Sequence, residues 1–285
     1  MARTDPFDDR IRAALDALVG RFDDRFLDTD PLGIVRRFPA PEDREIAGLL
    51  AAGLAYGRVA SIRASLERLF ALLGPHPSRF VDALDSRRDA RLLASFVHRF
   101  HTGRDVAAFL GLVRRAREAA GSLESFFVEG DDPEAETIGP ALDRFGERLF
   151  ALGGVAPSDR VRLFLPLPSR GSVCKRSCLF LRWMVRPEDG VDCGVWTRVS
   201  PSRLVLPLDT HLIRVVRALG WTRRKSPGWE MALDATRRLA RFDPEDPIRY
   251  DFALSRLGIL GLLGARGGRL DRRRLEGVLA EAGAA

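Results

Sequence analysis

The sequence predicts an all-α protein, and three features carry that prediction. Apolar residues recur at helical spacing in one segment after another, as in residues 8–27, where Ile11, Leu15, Leu18, Val19 and Phe22 share a face. The segments are separated by helix punctuation, such as Gly74-Pro75, Gly153-Gly154 and Gly220. No sustained period-two alternation appears, and no Asn-Gly or Asp-Gly turn joins two β-branched runs.

Taken in order, the elements justify themselves locally. Pro41-Glu42-Asp43 opens a helix with proline and acids in its first turn. The run EIAGLLAAGLAYG that follows is apolar nearly all round, so it belongs at the centre of its lobe. It is read as ending at Gly57, which places Tyr56 and Arg58 at a helix terminus facing a cleft. Residues 62–73 form an amphipathic helix, and further helices are expected over 78–84, 87–100, 104–120 and 121–128. Residues 130–139 read as a loop and 140–152 as a helix. Next comes VCKRSCLFLRWMVR, set between Gly171-Ser172 and Pro187, with Val173, Ser177, Phe180, Leu181 and Met184 on one face. Lys175, Arg182 and Arg186 fall on another. Asp209 opens a helix with Leu212, Val215, Val216 and Leu219 as its apolar stripe. Ser226-Pro227 is read as the N-cap and first position of a helix over 229–241. The turn at 242–247 leads to a buried helix closing at Gly258 or Gly261, and the last helix is expected over 270–280.

Composition narrows the function. At 285 residues with 46% hydrophobic and 30% charged residues, the chain can bury a large core. It shows no apolar run long enough to cross a membrane, and its charged start does not read as a signal, so a cytoplasmic protein is expected. Cys174, Cys178 and Cys193 are an odd number in a long chain, which fits reduced thiols. The net charge of +7 favours a polyanionic partner. Acids crowd the first thirty or so positions and residues 130–136, whereas residues 160–224 are strongly basic.

One residue stands out chemically. Of 46 lysines and arginines, only Lys175 and Lys225 are lysine. An arginine-rich chain that keeps lysine at one position points to an amine that can lose its proton and attack an electrophile. At the start of its helix, Lys175 faces the positive end of the helix dipole and the neighbouring Arg176, and both disfavour the charged form. Ser172 is read as the cap of this helix, leaving first-turn N–H groups for a phosphate. Asp209 follows the apolar approach Val205-Leu206-Pro207-Leu208, which would bury and orient its carboxylate, with His211 two positions on. A carboxylate held in this way can stabilise a cationic sugar transition state. The plainer reading is that Asp209 is simply an N-cap.

Gly171…Lys175, followed by Leu208-Asp209-Thr210-His211-Leu212-Ile213-Arg214-Val215, resembles the helix-hairpin-helix DNA glycosylases with a Gly/Pro-rich loop and catalytic Asp. The Asp209 string is similar to the endonuclease III version, and the wide Lys-to-Asp interval looks like the archaeal 8-oxoguanine glycosylase branch. Residues 46–53 and 250–258 are similar to an early and a late helix of that superfamily. The chain also resembles an uncharacterised bacterial family with GSxCKR, FLRWMVR, PLDTH and FDPEDPxxYDFAL motifs, over most of residues 30–265. The resemblance implies two helical lobes about a cleft: residues 40–190 with the Lys helix, and residues 1–39 plus 191–285 with the Asp helix. It implies Lys175 as nucleophile on the sugar C1′ and Asp209 as its partner, with damaged double-stranded DNA as substrate and β-elimination following. Arg170, Gly171, Ser172, Arg176, Arg182 and His211 would then contact DNA, and Tyr56, Arg58 and Trp196 would serve as wedge or base pocket.

Two departures qualify the resemblance. The hairpin reads Leu167-Pro168-Ser169-Arg170-Gly171, with one glycine, and leaves Arg170 as the anchor. No cysteine follows Cys193, so no iron–sulfur cluster is expected. A zinc site from Cys174, Cys178, Cys193 and His211 matches no tight CxxC knuckle, so neither metal nor cofactor is expected in this monomer. His98 and His101 read as structural. The competing readings are a nucleic-acid-binding protein that has lost catalysis and a helical interaction domain with no nucleic-acid partner.

Overall fold

The computed structural model describes residues 6–264 and 270–284, and it is helical almost throughout. The helices begin with α1 (Pro6–Arg21), α2 (Leu32–Val35), α3 (Pro41–Gly53), α4 (Val59–Leu73), α5 (Pro77–Asp82) and α6 (Ser86–Leu92). A short antiparallel hairpin follows, β1 (Val97–His98) with β2 (His101–Thr102). Then come α7 (Gly103–Ala120), α8 (Leu123–Val128), α9 (Gly139–Ala151), α10 (Asp159–Arg162) and α11 (Lys175–Val185). The chain closes with α12 (Thr210–Ala218), α13 (Trp229–Leu239), α14 (Asp251–Ile259) and α15 (Arg272–Ala284). Among the described residues, no helix is long and apolar enough to cross a membrane.

The packing centres on α3, which is buried without a break from Glu45 to Gly53. Its composition explains this: Ile46, Leu49 and Leu50 supply apolar bulk, while Ala47, Gly48, Ala51, Ala52 and Gly53 hold no neighbour away. Helix α11 lies antiparallel against it. A Cβ on Gly48 would come within 2.7 Å of the Met184 methyl, and one on Gly53 within 2.8 Å of the Phe164 ring. At the other end the Ala55 carbonyl meets the Lys175 side chain. Elsewhere α1 packs on α14 and α15, and α12 on α14.

Helix α11 is held from its other side by buried charge. The guanidinium of Arg182 donates to Asp251 at 2.6 Å and pairs with Asp192 at 3.0 Å. Arg186 donates to Asp246 at 2.9 Å and pairs with Asp189 at 3.0 Å and also with Asp192. Arg182 therefore does not reach DNA; it is 2% exposed. Carboxylates arriving from residues 189–192 and 246–251 neutralise both arginines, so they pack inside the protein instead of facing solvent. This pairing also links two sequence motifs, because FLRWMVR supplies the cations and FDPEDPxxYDFAL two of the four anions, Asp246 and Asp251.

Trp196 is likewise corrected. It is 2% exposed, and its indole N–H donates to Glu45 at 2.8 Å, so it is neither wedge nor base pocket. Glu45 also accepts from the N–H groups of Leu123 and Glu124, so it caps the start of α8 from across the core. Burial raises the Glu45 carboxyl against the pull of these donors.

Several element ends differ from expectation. The helix read over 87–100 stops at Leu92, and the chain reverses through the hairpin with Arg99 at φ 54°. The cause lies downstream: the Asp105 carboxylate accepts from the Thr102 N–H at 2.8 Å and hydroxyl at 2.7 Å, a capping box that fixes the start of α7. Helix α3 ends at Gly53, not Gly57. Gly228, and not Ser226, precedes α13, and α15 extends to Ala284.

Candidate active site

The site is built where the N-terminus of α11 meets the C-terminus of α3. Gly171 takes a left-handed turn at φ 70°, and Cys174 takes another at φ 51° immediately before the helix. A non-glycine residue in that region stores about 1–3 kcal/mol of strain. Ser172 does not cap α11. Its hydroxyl accepts from the Cys174 N–H at 3.1 Å, so it shapes the turn, and the N-cap residue is Cys174, which offers no side-chain bond. The Asp143 carboxylate takes the Ser169 N–H at 3.0 Å and its hydroxyl at 2.8 Å, tying the hairpin to α9. Burial pushes the Cys174 thiol up to about 12, which keeps it protonated and inert at neutral pH.

Lys175 is half-buried, and its Nζ donates to the Ala55 carbonyl at 3.3 Å. It has no carboxylate partner among the described residues, although many of the arginines do. Arg176 donates to the Gly53 carbonyl at 3.2 Å and lies 5.3 Å over the Tyr56 ring. Both cations thus sit at the negative end of the α3 dipole, which offsets the positive end of α11.

Asp209 is half-buried at the N-cap of α12, and one of its oxygens accepts from the N–H groups of His211 and Leu212, both at 2.8 Å. The other oxygen has no hydrogen-bond partner among the described residues. The approach from Leu204 to Leu208 is buried, as expected. His211 lies against α14, where a Cβ on Gly258 would fall 2.2 Å from its ring. The Asp209 charge acts on Asp251, whose carboxyl burial pushes up to about 6 against the pull of Arg182. Arg182, which holds Asp251, is two turns along α11 from Lys175, whose amine points instead to the end of α3.

The other candidates divide. Tyr56 donates to the His98 carbonyl at 3.0 Å and bonds the His101 ring, while Arg58 is exposed at the start of α4. Arg170, Ser172 and Arg176, with Arg162, line a cavity of about 290 Å³ floored by Phe150 and Leu165. A larger one of about 570 Å³ lies between α6, α7 and residues 153–158. Lys175 and Asp209 line neither.

Three features escaped the sequence reading. Asp251 carried one signal, an acid at the start of a buried helix. The left-handed Cys174 carried none, and the hairpin at 97–102 only the Thr102–Asp105 capping signature that closes it.

The fold and site together define an all-helical protein with a lysine-bearing helix packed on a glycine-rich central one. Residues 30–260 match the family described as Protein of unknown function (DUF2400), and the chain belongs to that family. Comparison with curated proteins returns no match, and comparison with solved structures returns none either.

Proposed function

We propose that the chain is a DNA repair glycosylase, with a lyase step through Lys175, acting on a damaged base in duplex DNA. One observation carries the reading: one of the two lysines stands half-buried at a helix N-terminus with no carboxylate to hold it as an ion pair among the described residues. In this reading residues 40–190 and the remainder form lobes about a cleft with a glycosylase-like architecture. The Lys175 amine attacks C1′ as the base departs with the bonding electrons. The free oxygen of Asp209 takes the proton and steadies the developing positive charge. Ring opening leaves a Schiff base, and loss of a C2′ proton then expels the 3′ phosphate. In this reading Arg170 and Arg176 contact the backbone phosphates.

A second reading, the same fold without catalysis, is favoured by one fact: the Lys175 amine is held by the Ala55 carbonyl and lines neither cavity. Borohydride reduction in the presence of duplexes carrying an abasic site or 8-oxoguanine separates the two. The glycosylase reading expects a covalent adduct that disappears in Lys175→Gln. No adduct with any lesion, or one that survives the substitution, contradicts it.

A further inference from the structure

The hairpin at 97–102 presents apolar surface in a basic setting. Val97 at its start is 52% and Phe100 at its tip 43% exposed, and Phe100 stacks on Tyr56 at 4.7 Å with the rings 16° from parallel. The stack stands on a rigid base. Tyr56 is bonded to the His98 carbonyl and the His101 ring, and His101 is buried and bonded to the Arg160 carbonyl at 2.8 Å. An exposed phenylalanine alone means little. Here arginines lie nearby: Arg99 lies over Gly57, Arg58 follows Gly57 in sequence, Arg68 donates to the Val97 carbonyl at 3.4 Å, and the Arg176 guanidinium lies 5.3 Å over the Tyr56 ring. None of the four has a carboxylate partner among the described residues, and nearby Asp105 is engaged in capping Thr102.

We infer that this tip is a stacking platform for an unpaired nucleobase, with Phe100 against the base and Arg58 and Arg99 on the flanking phosphates. A flat aromatic pair offers a π-face to any base, and guanidiniums without internal partners are open to phosphate. An acidic peptide would use the charge but not the flat stack. The inference rests on the nucleic-acid reading above and extends it to a contact beside the Lys175 site, across Tyr56.

The test is fluorescence anisotropy with a labelled duplex carrying one unpaired thymine, for wild type, Phe100→Ala, Phe100→Trp and Arg58→Ala/Arg99→Ala. Phe100→Ala is expected to weaken binding about tenfold or more with its salt dependence unchanged. Phe100→Trp is expected to keep wild-type affinity and to show quenched tryptophan emission on binding. The double arginine variant is expected to lower the log–log salt slope by about two. Equal affinity for Phe100→Ala and wild type overturns the platform, and an unquenched Phe100→Trp does the same. If Phe100→Ala weakens binding but wild type gives no borohydride adduct, the platform stands and the catalytic reading falls. If the adduct forms equally in Phe100→Ala with unchanged affinity, the platform falls and the catalytic reading stands.

Discussion

Asp209 is an N-cap in the structure and a charge stabiliser in the proposed reaction, and substitution can separate the two. Its cap bonds to His211 and Leu212 need an acceptor oxygen, whereas steadying a cationic sugar needs the charge. Asn is a good N-cap. Asp209→Asn should therefore melt with wild type and fail in borohydride trapping, while Asp209→Ala should also lose about 1 kcal/mol of stability. A trapping yield in Asp209→Asn equal to wild type would reduce this residue to a cap. Asp251 makes a second prediction, this one in pH. Its folded carboxyl is raised to about 6, above the unfolded value near 3.8. Between those values the folded chain keeps a proton that the unfolded chain releases, so this group's contribution to stability declines as pH rises through the window. Urea midpoints measured from pH 4 to 7 should show that decline relative to Asp251→Asn, which lacks the titrating group. Parallel curves for the two proteins would contradict the assignment.

Between helices, several contacts leave no clearance for an added side chain. Helix α12 is seated on α14 through His211 and Gly258, so Gly258→Ala should cost about 1–3 kcal/mol by overpacking. Denaturant unfolding checks this, and a change under 0.5 kcal/mol would mean that α12 can shift freely. Arg182→Met should cost about 3–5 kcal/mol, because it strands the carboxylates of Asp192 and Asp251 inside the protein. The same helices show what was legible in the sequence. The central position of α3 follows from apolar residues on every side, and Asp209 at the start of α12 from an acid before an amphipathic stripe. The burial of Arg182 was not legible, because its neutralising partners lie up to 69 residues away. The hairpin at 97–102 was hidden for a related reason, since its β propensity is slight and a capping box beyond it sets its boundary.

For the whole molecule, the net charge of +7 understates the local asymmetry. Buried pairs consume Arg182, Arg186 and Arg203, whereas arginines around Tyr56 and the Leu167–Ser172 hairpin have no acid partner among the described residues. Affinity for duplex DNA should therefore fall linearly in log–log coordinates as salt rises, and binding that ignores salt would argue for the interaction-domain reading. The site was half legible. Lysine scarcity singled out Lys175 and the PLDTH string singled out Asp209, but the seating of Lys175 on the end of α3 and of α12 on α14 is a product of tertiary packing. The most direct test of the account is to reduce the complex with abasic-site DNA using borohydride, digest it, and map the sugar-bearing residue by mass spectrometry. The account predicts the modification on Lys175. A sugar found on Lys225 or on the terminal amine, with Lys175 unmodified, would contradict it.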